Sequence, residues 1–151
     1  MKKIILGRTQ ESISVISLGA WSHGKQNTDG GASVGWSNQS DQDSKDALLQ
    51  SFSLGINHWD TADVYGDGHS EKIIGSMWNE ISRNKIFLAT KVGWDKGPNK
   101  YWYNSDYIKT KMEQSLKNLR TDCVDLFYLH HCNFGKKNEF LDGAMEQLIS
   151  F

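Results

Sequence analysis

The chain has 151 residues and a formal net charge of -1, with 17 lysines and arginines against 18 aspartates and glutamates. This length fits one domain, which can bury roughly two thirds of its unfolded surface. The balanced charge offers no basic patch for nucleic acid or an anionic membrane, and the apolar runs are too short to cross a bilayer. We therefore expect a single domain, residues 1–151, that binds neither nucleic acid nor membrane.

The first strand candidate is the alternating segment 14–18, which ends before Gly19. The basic and then apolar residues that precede it are interrupted by polar side chains too soon for a signal peptide. A polar, glycine-rich stretch follows from Ser22 to about Ser40. Loops of this length are usually functional or mobile, so we interpret this stretch as a functional loop.

Three more strand-sized segments follow, each of them before a segment with helical periodicity. The strands are predicted at 56–60, 86–91 and 124–129, and the helices start near positions 41, 70, 105 and 136. The predicted N-caps are Asp41 or Asp43, Ser70, and Asn104 or Ser105, and Gly55 supplies a C-terminal stop. Four strand–helix units in a row predict an α/β fold with a parallel sheet and right-handed crossovers.

Polar and aromatic side chains lie at or just beyond the carboxyl ends of these strands. Trp21 follows the first strand, Asp60 and Tyr65 follow the second, and Lys91 and His130 end the third and fourth. The reactive groups of parallel sheets collect at this edge. We therefore expect these side chains to converge on one site.

Four of these side chains suit proton transfer at a carbonyl group. A tyrosine such as Tyr65 is protonated at neutral pH and can donate its proton. The ammonium of Lys91, held by Asp60, stabilises the phenolate that remains, and the imidazole of His130 can hydrogen-bond the carbonyl oxygen. Since none of the four can supply hydride, the chemistry requires a nicotinamide cofactor.

Each of these residues also has a purely structural interpretation. Asp60 can cap the turn after its strand, and Tyr65 can be an ordinary half-buried loop aromatic. Lys91 can be solvated, and one ring of the pair His130 and His131 can satisfy a backbone carbonyl. The site hypothesis depends on the four positions occurring in one arrangement.

The two cysteines, Cys123 and Cys132, flank the fourth strand. The ends of such a strand are too far apart for a disulfide, whose Cα atoms must lie within ~7 Å. Cys132 with His130 and His131 lacks a fourth metal ligand, so we expect no metal site. This cysteine usage is typical of the reducing cytoplasm.

Several motifs occur along the chain in one order. They are Gly7-Arg8-Thr9, Leu18-Gly19-Ala20-Trp21, Asp60-Thr61-Ala62-Asp63-Val64-Tyr65-Gly66 with His69-Ser70-Glu71, Ala89-Thr90-Lys91, and Asp125-Leu126-Phe127-Tyr128-Leu129-His130. This ordered set resembles the aldo-keto reductase superfamily over nearly the whole chain. The resemblance implies a parallel (β/α)₈ barrel of the TIM type, NADP(H) or alternatively NAD(H) as cofactor, and reduction of aldehydes or ketones to alcohols.

The resemblance also implies roles for individual residues. Tyr65 corresponds to the general acid, Lys91 and Asp60 support it, and His130 orients the carbonyl. The implied cofactor contacts are Gly19, Ala20, Trp21 and Asp60. The candidate walls of the substrate pocket are Trp21, Trp36, Trp94 and His131.

A barrel of eight units takes roughly 250 residues, and the end of this sequence resembles the fourth helix of the family. The resemblance therefore implies a half-barrel, the first four β/α units, without the later strands that bind nicotinamide and the adenosine phosphates in the family. Open sheet edges favour self-association. Two functions stay open: a truncated NADPH-dependent carbonyl reductase, or a non-catalytic half-barrel that is a binding or assembly module or an inactive fragment. A third possible function is that of a regulator with the barrel fold, such as a channel-associated subunit.

Overall fold

The computed structural model describes residues 1–29 and 32–151. The strands are β1 (Lys3–Ile5), β2 (Ser12–Ser14), β3 (Leu18–Gly19), β4 (Gln26–Asp29), β5 (Ala32–Gly35), β6 (His58–Asp60), β7 (Phe87–Val92) and β8 (Leu126–Leu129). The α-helices are α1 (Asp41–Ser53), α2 (His69–Gly75), α3 (Ser105–Leu119) and α4 (Leu141–Ile149). Short 3₁₀ helices occur at Trp21–Gly24, Ser76–Asn79, Arg83–Lys85 and Lys136–Asn138.

The central feature is a parallel sheet of four strands in the order β3-β6-β7-β8. The helices α1, α2 and α3 each connect one strand of this sheet to the next, and α4 follows the last strand. Two antiparallel pairs, β1 with β2 and β4 with β5, lie outside this sheet. The predicted α/β arrangement of four successive strand–helix units is confirmed.

The main apolar core joins the sheet to α1, α2 and the end of α3. Trp59 of β6 and Leu88 of β7 are fully buried against Leu48, Ile74 and Leu119 from the helices. Burying a side chain of this size stabilises the fold by roughly 1.5–3 kcal/mol. Because alternate residues of a strand point to opposite faces, this core also fixes which side chains at the strand ends face away from the helices.

The segment predicted as one strand, residues 14–18, is divided between two strands. β2 ends at Ser14 and β3 begins only at Leu18. The N–H of Ser14 donates to Asn57 Oδ1 over 2.7 Å, and its hydroxyl donates to the carbonyl of Ile16 over 2.7 Å. These bonds bend the chain between the two strands, so the prediction from alternating polarity was wrong here.

The stretch interpreted as a loop, from Ser22 to Ser40, contains regular structure. It includes most of a 3₁₀ helix and the antiparallel pair of β4 and β5. Few of its residues are apolar, so the pair gives no hydrophobic pattern of the kind that predicts strands. Gly30 and Gly31, in the same stretch, lie outside the described residues.

The N-cap of α1 is Ser40. The prediction of Asp41 or Asp43 as the cap was wrong. The Ser40 hydroxyl accepts from the N–H of Asp43, and the Asp43 carboxylate accepts from the N–H of Ser40 over 3.0 Å. This is a capping box, in which the acid is the third residue of the helix. The helix stops where predicted, since Gly55 adopts a φ of 84° just beyond its end.

The second helix begins earlier than predicted. α2 begins at His69 after Gly68, and Ser70 lies inside it. The Ser70 hydroxyl instead donates to the carbonyl of Ala20 over 2.8 Å, because the residue is fully buried. α2 ends at Gly75 and is followed directly by the 3₁₀ helix Ser76–Asn79. For α3 the predicted cap Asn104 is confirmed, since its side chain accepts from a helix N–H.

Candidate active site

A lysine held by three oxygens lies at the carboxyl end of the sheet. Asp60 pairs with Ala89 across β6 and β7, and Lys91 lies two residues further along the same face of β7. The Lys91 ammonium pairs with Asp60 Oδ1 and donates to the Thr61 carbonyl over 2.8 Å. It also donates to the Tyr65 hydroxyl, 3.4 Å away. Accepting this bond leaves the phenol its own hydrogen to donate.

The loop between β6 and α2 fixes the backbone of Tyr65. The N–H of Tyr65 donates to the carbonyl of Ala62 over 3.2 Å, and the carbonyl of Tyr65 accepts from the N–H of Ser70 over 3.1 Å. A Cβ atom added to Gly24 would lie 2.6 Å from the carbonyl carbon of Tyr65. Only glycine at position 24 therefore permits the 3₁₀ helix Trp21–Gly24 to lie this close to Tyr65.

His130 reaches the site from β8. Its N–H donates to the carbonyl of Val92 over 2.8 Å, which extends the pairing of β7 and β8. Its ring lies edge-on to the Tyr65 ring, with 5.8 Å between the centroids. Burial, and then the positive charge of Lys91, lower the pKa of His130 to about 4. The imidazole is therefore neutral at neutral pH and can donate one hydrogen bond.

Three half-exposed tryptophans surround Tyr65 and His130. Trp21 lies 6.3 Å from the Tyr65 ring and 6.1 Å from the ring of Trp36, which it meets edge-on. Trp94 lies 5.5 Å from the His130 ring. About half of each indole surface is exposed, at 49%, 53% and 49% for Trp21, Trp36 and Trp94. These rings form an apolar surface beside the phenol.

His131 and Ala20 have mainly structural contacts. The His131 ring packs at 4.8 Å from Trp102 and 4.9 Å from Tyr103, and still lies 5.7 Å from Trp94. Ala20 is fully buried, and its N–H donates to the carbonyl of Asp60 over 2.8 Å. Its neighbour Gly19 is exposed, and a Cβ atom added there would meet nothing within 4 Å.

The sequence interpretation missed residues that support the site from behind. Tyr103 accepts from the N–H of His131 over 2.9 Å and donates to its carbonyl over 2.6 Å. Lys111 of α3 contacts both Asp63 and Asp95. One signal was available, since position 111 lies next to the buried stripe of α3 at positions 108, 112, 115 and 119, where a lysine needs a partner.

A known protein family matches most of this chain. The sequence model described as the Aldo/keto reductase family matches residues 15–150. The chain belongs to the aldo/keto reductase family. The expected family, and with it the expected TIM-barrel type of fold, are confirmed.

Three similar proteins illustrate the range of this aldo/keto reductase chain's relatives. The NADP(+) aldo-keto reductase yakc of Schizosaccharomyces pombe is 36% identical over 73% of this chain and 34% of its own length. A probable voltage-gated potassium channel subunit beta of Arabidopsis thaliana is 33% identical over 95% of this chain and 42% of its own length. The holo form of an aldo-keto reductase from Bacillus halodurans superimposes with a TM-score of 0.76 at 29% identity and covers 99% of this chain.

The aldo/keto reductase chain spans only about a third to two fifths of the length of the curated relatives it matches, and 46% of the Bacillus halodurans structure. The matched part of that structure covers the parallel four-stranded sheet with its helices. Within residues 1–29 and 32–151, no helix combines the length and apolar character needed to cross a membrane.

Proposed function

We propose that the chain carries the proton-transfer half of an NADPH-dependent aldo-keto reductase, which reduces aldehydes or ketones to alcohols. One observation supports this most directly: the Tyr65 hydroxyl lies 3.4 Å from the Lys91 ammonium, and the same tyrosine ring meets His130 edge-on. We assign residues 1–151 to one domain, equivalent to the N-terminal half of the family's barrel. The exposed, unpaired cysteines suit a cytoplasmic location.

Tyr65 is the general acid of the proposed reaction. The neutral imidazole of His130 donates a hydrogen bond to the substrate carbonyl oxygen and holds it beside the phenol. As the oxygen gains negative charge, Tyr65 transfers its proton to it. Lys91, kept in place by Asp60 and the Thr61 carbonyl, stabilises the phenolate that forms.

The residues present suit the reacting end of a nicotinamide cofactor. Gly19 leaves open space on its side of the site, and the Trp21 ring is half exposed next to Tyr65. The proposed contacts on this side are Gly19, Ala20, Trp21 and Asp60. NADP(H), or alternatively NAD(H), supplies the hydride for the carbonyl carbon. Trp21, Trp36, Trp94 and His131 then form the proposed substrate pocket, whose indole surfaces suit the apolar part of a carbonyl compound.

Replacing Tyr65 by phenylalanine tests the proposal. The Tyr65→Phe variant keeps the ring contacts with Trp21 and His130 but removes the proton, so we expect loss of carbonyl reduction by about 10²–10⁴-fold. NADPH binding should stay near normal. Tyr101→Phe is the matched control, because that tyrosine packs against Phe140 in another cluster. Turnover by Tyr65→Phe equal to the parent's contradicts the role of Tyr65.

A non-catalytic half-barrel that binds a partner or a second copy is the alternative. The similarity to a protein named as a potassium channel subunit favours it, as do the edge positions of β3 and β8 in the sheet. Titration with NADPH, followed by the fluorescence of the six tryptophans, separates the two proposals. Saturable quenching supports the reductase. No response, together with a dimeric or larger mass in solution, supports the assembly module.

A further inference from the structure

Lys111 lies behind the candidate active site, on the face of α3 that packs toward the sheet and α2. Its side chain is only 14% exposed. Its ammonium lies 3.3 Å from Asp63 Oδ2 and 3.2 Å from Asp95 Oδ2. These two carboxylates belong to different loops: Asp63 follows β6, and Asp95 follows β7. Lys111 therefore bridges the two loops that border the site.

Asp63 joins Lys111 to the Tyr65 loop. Asp63 precedes Tyr65 by two residues, and its N–H donates to the carbonyl of Lys91 over 3.1 Å. Its side chain is only 4% exposed. Within the described residues neither oxygen has a well-aligned hydrogen bond, and the ion pair with Lys111 offsets part of the cost of burying this charge.

Asp95 joins Lys111 to the Trp94 loop. Asp95 Oδ1 accepts from the N–H of Gly97 over 2.8 Å, and Oδ2 accepts from the Tyr107 hydroxyl over 2.8 Å and from Lys111 over 3.2 Å. Trp94, the preceding residue, packs against the ring of His130. The position of Asp95 is thus coupled through one peptide unit to the indole that supports His130.

We propose that Lys111 is a positioning residue that ties the Tyr65 loop to the Trp94 loop and thereby sets the placement of Tyr65 relative to His130. A methionine at this position would pack as well without the cost of desolvating an ammonium group. The lysine gains over such a residue only by holding two carboxylates at once, and each carboxylate is fixed to one side of the site. The effect on turnover rests on the proposed function, whereas the effect on ring placement does not.

Aromatic-ring NMR spectra of the full chain test the bridge directly. Lys111→Met should shift the ring signals of both Tyr65 and Trp94, and Lys111→Arg should largely restore them because a guanidinium can bind both carboxylates. Lys109→Met, an exposed neighbour on α3, is the matched control and should shift neither ring. Shifts confined to one of the two loops, or no shift in either, overturn the proposal.

A second variant keeps the test decisive when Lys111→Met fails to fold. Asp95→Asn removes a half-exposed carboxylate and leaves the Lys111–Asp63 pair intact. It should shift the ring signals of Trp94 and His130 while the chain stays folded, and unchanged signals overturn the proposal.

Turnover adds a further test of the same bridge. In an active parent protein, Lys111→Met should lower kcat about tenfold while KM changes little, because displacing catalytic groups lowers the rate; unchanged kcat contradicts a positioning role in catalysis. A parent protein without turnover refutes the proposed function alone, and the ring signals then decide the bridge.

Discussion

Two lysine–aspartate pairs arise from one short segment and have different surroundings. Asp60 and Asp63 lie three residues apart, yet Asp60 pairs with Lys91 at the site and Asp63 pairs with Lys111 behind it. The Asp60 side chain is 27% exposed and the Asp63 side chain only 4%. The partly exposed Asp60 can exchange its interactions with a substrate, whereas the buried Asp63 can only hold its neighbours. We propose that identical residue types serve chemistry in one place and placement in the other.

Of the two lysines, Lys91 should have the larger effect on turnover. Lys91→Met deletes the ammonium that stabilises the Tyr65 phenolate in the proposed mechanism, so we expect kcat for carbonyl reduction to fall by about 10²–10⁴-fold. The loss should exceed that of Lys111→Met at least tenfold, because Lys111 contacts no reacting atom. Steady-state kinetics with NADPH and an aldehyde measure both variants beside Lys109→Met. Equal losses for the two lysines would contradict the division of roles.

For stability the order should be reversed: loss of Lys111 should lower the free energy of unfolding more than loss of Lys91. Lys111→Met leaves the buried Asp63 carboxyl without its cation, and because this carboxyl has a pKa of about 7 it can take up a proton, so the free energy of unfolding at pH 8 should fall by about 1–3 kcal/mol. Lys91→Met leaves the more exposed Asp60 able to bind water and should cost about 1 kcal/mol. Urea unfolding measures both values, and adding Asp63→Asn to Lys111→Met should recover most of the loss. A larger cost for Lys91→Met would show that burial does not distinguish the pairs.

The pH dependence of stability tests the surroundings of Asp63. Burial, opposed in part by Lys111, raises the pKa of Asp63 to about 7. The folded chain therefore keeps a proton that the unfolded chain loses near pH 4. This contribution to stability is complete below about pH 4 and is lost as the pH rises to about 7, with a slope of about 1 kcal/mol per pH unit.

Comparison of the parent with Asp63→Asn isolates this dependence. Glu71 and Asp95 also act on the Asp63 carboxyl, but they are present in both proteins. We expect the parent's advantage in unfolding free energy over Asp63→Asn to decrease between about pH 4 and 7. Urea unfolding across this range provides the curves, and parallel curves would mean that Asp63 does not titrate there.

The sequence predicted the exposed pair and missed the buried one for a physical reason. Asp60 and Lys91 end predicted strands, and in a parallel sheet all such ends meet at one edge. Position 111 lies in the middle of α3, and its contacts with Asp63 and Asp95 depend on how this helix packs on two loops. No local pattern encodes that packing, although a lysine beside a buried stripe signals an unidentified partner.

Local errors in the fold have similar causes. Ser40, Asp41 and Asp43 are all good N-caps, and only the reciprocal bonds between Ser40 and Asp43 decide which one starts the helix. Ser70 has the right residue type for a cap but lies inside the helix, because its hydroxyl meets the buried carbonyl of Ala20. Tertiary contacts override residue preference at both positions.

The smallest expected effect is a change in the titration of His130. Burial is the larger cause of its pKa of about 4, and the charge of Lys91 is the next. Lys91→Met should therefore raise this pKa only part of the way to the ordinary value, since the ring stays buried. Asp63→Asn should leave it unchanged, because Asp63 is not among the charges that act on His130. Titration of the histidine ring signals by NMR measures both variants. A pKa of His130 that responds to Asp63→Asn as strongly as to Lys91→Met would show that the buried pair also acts on the site through its charge.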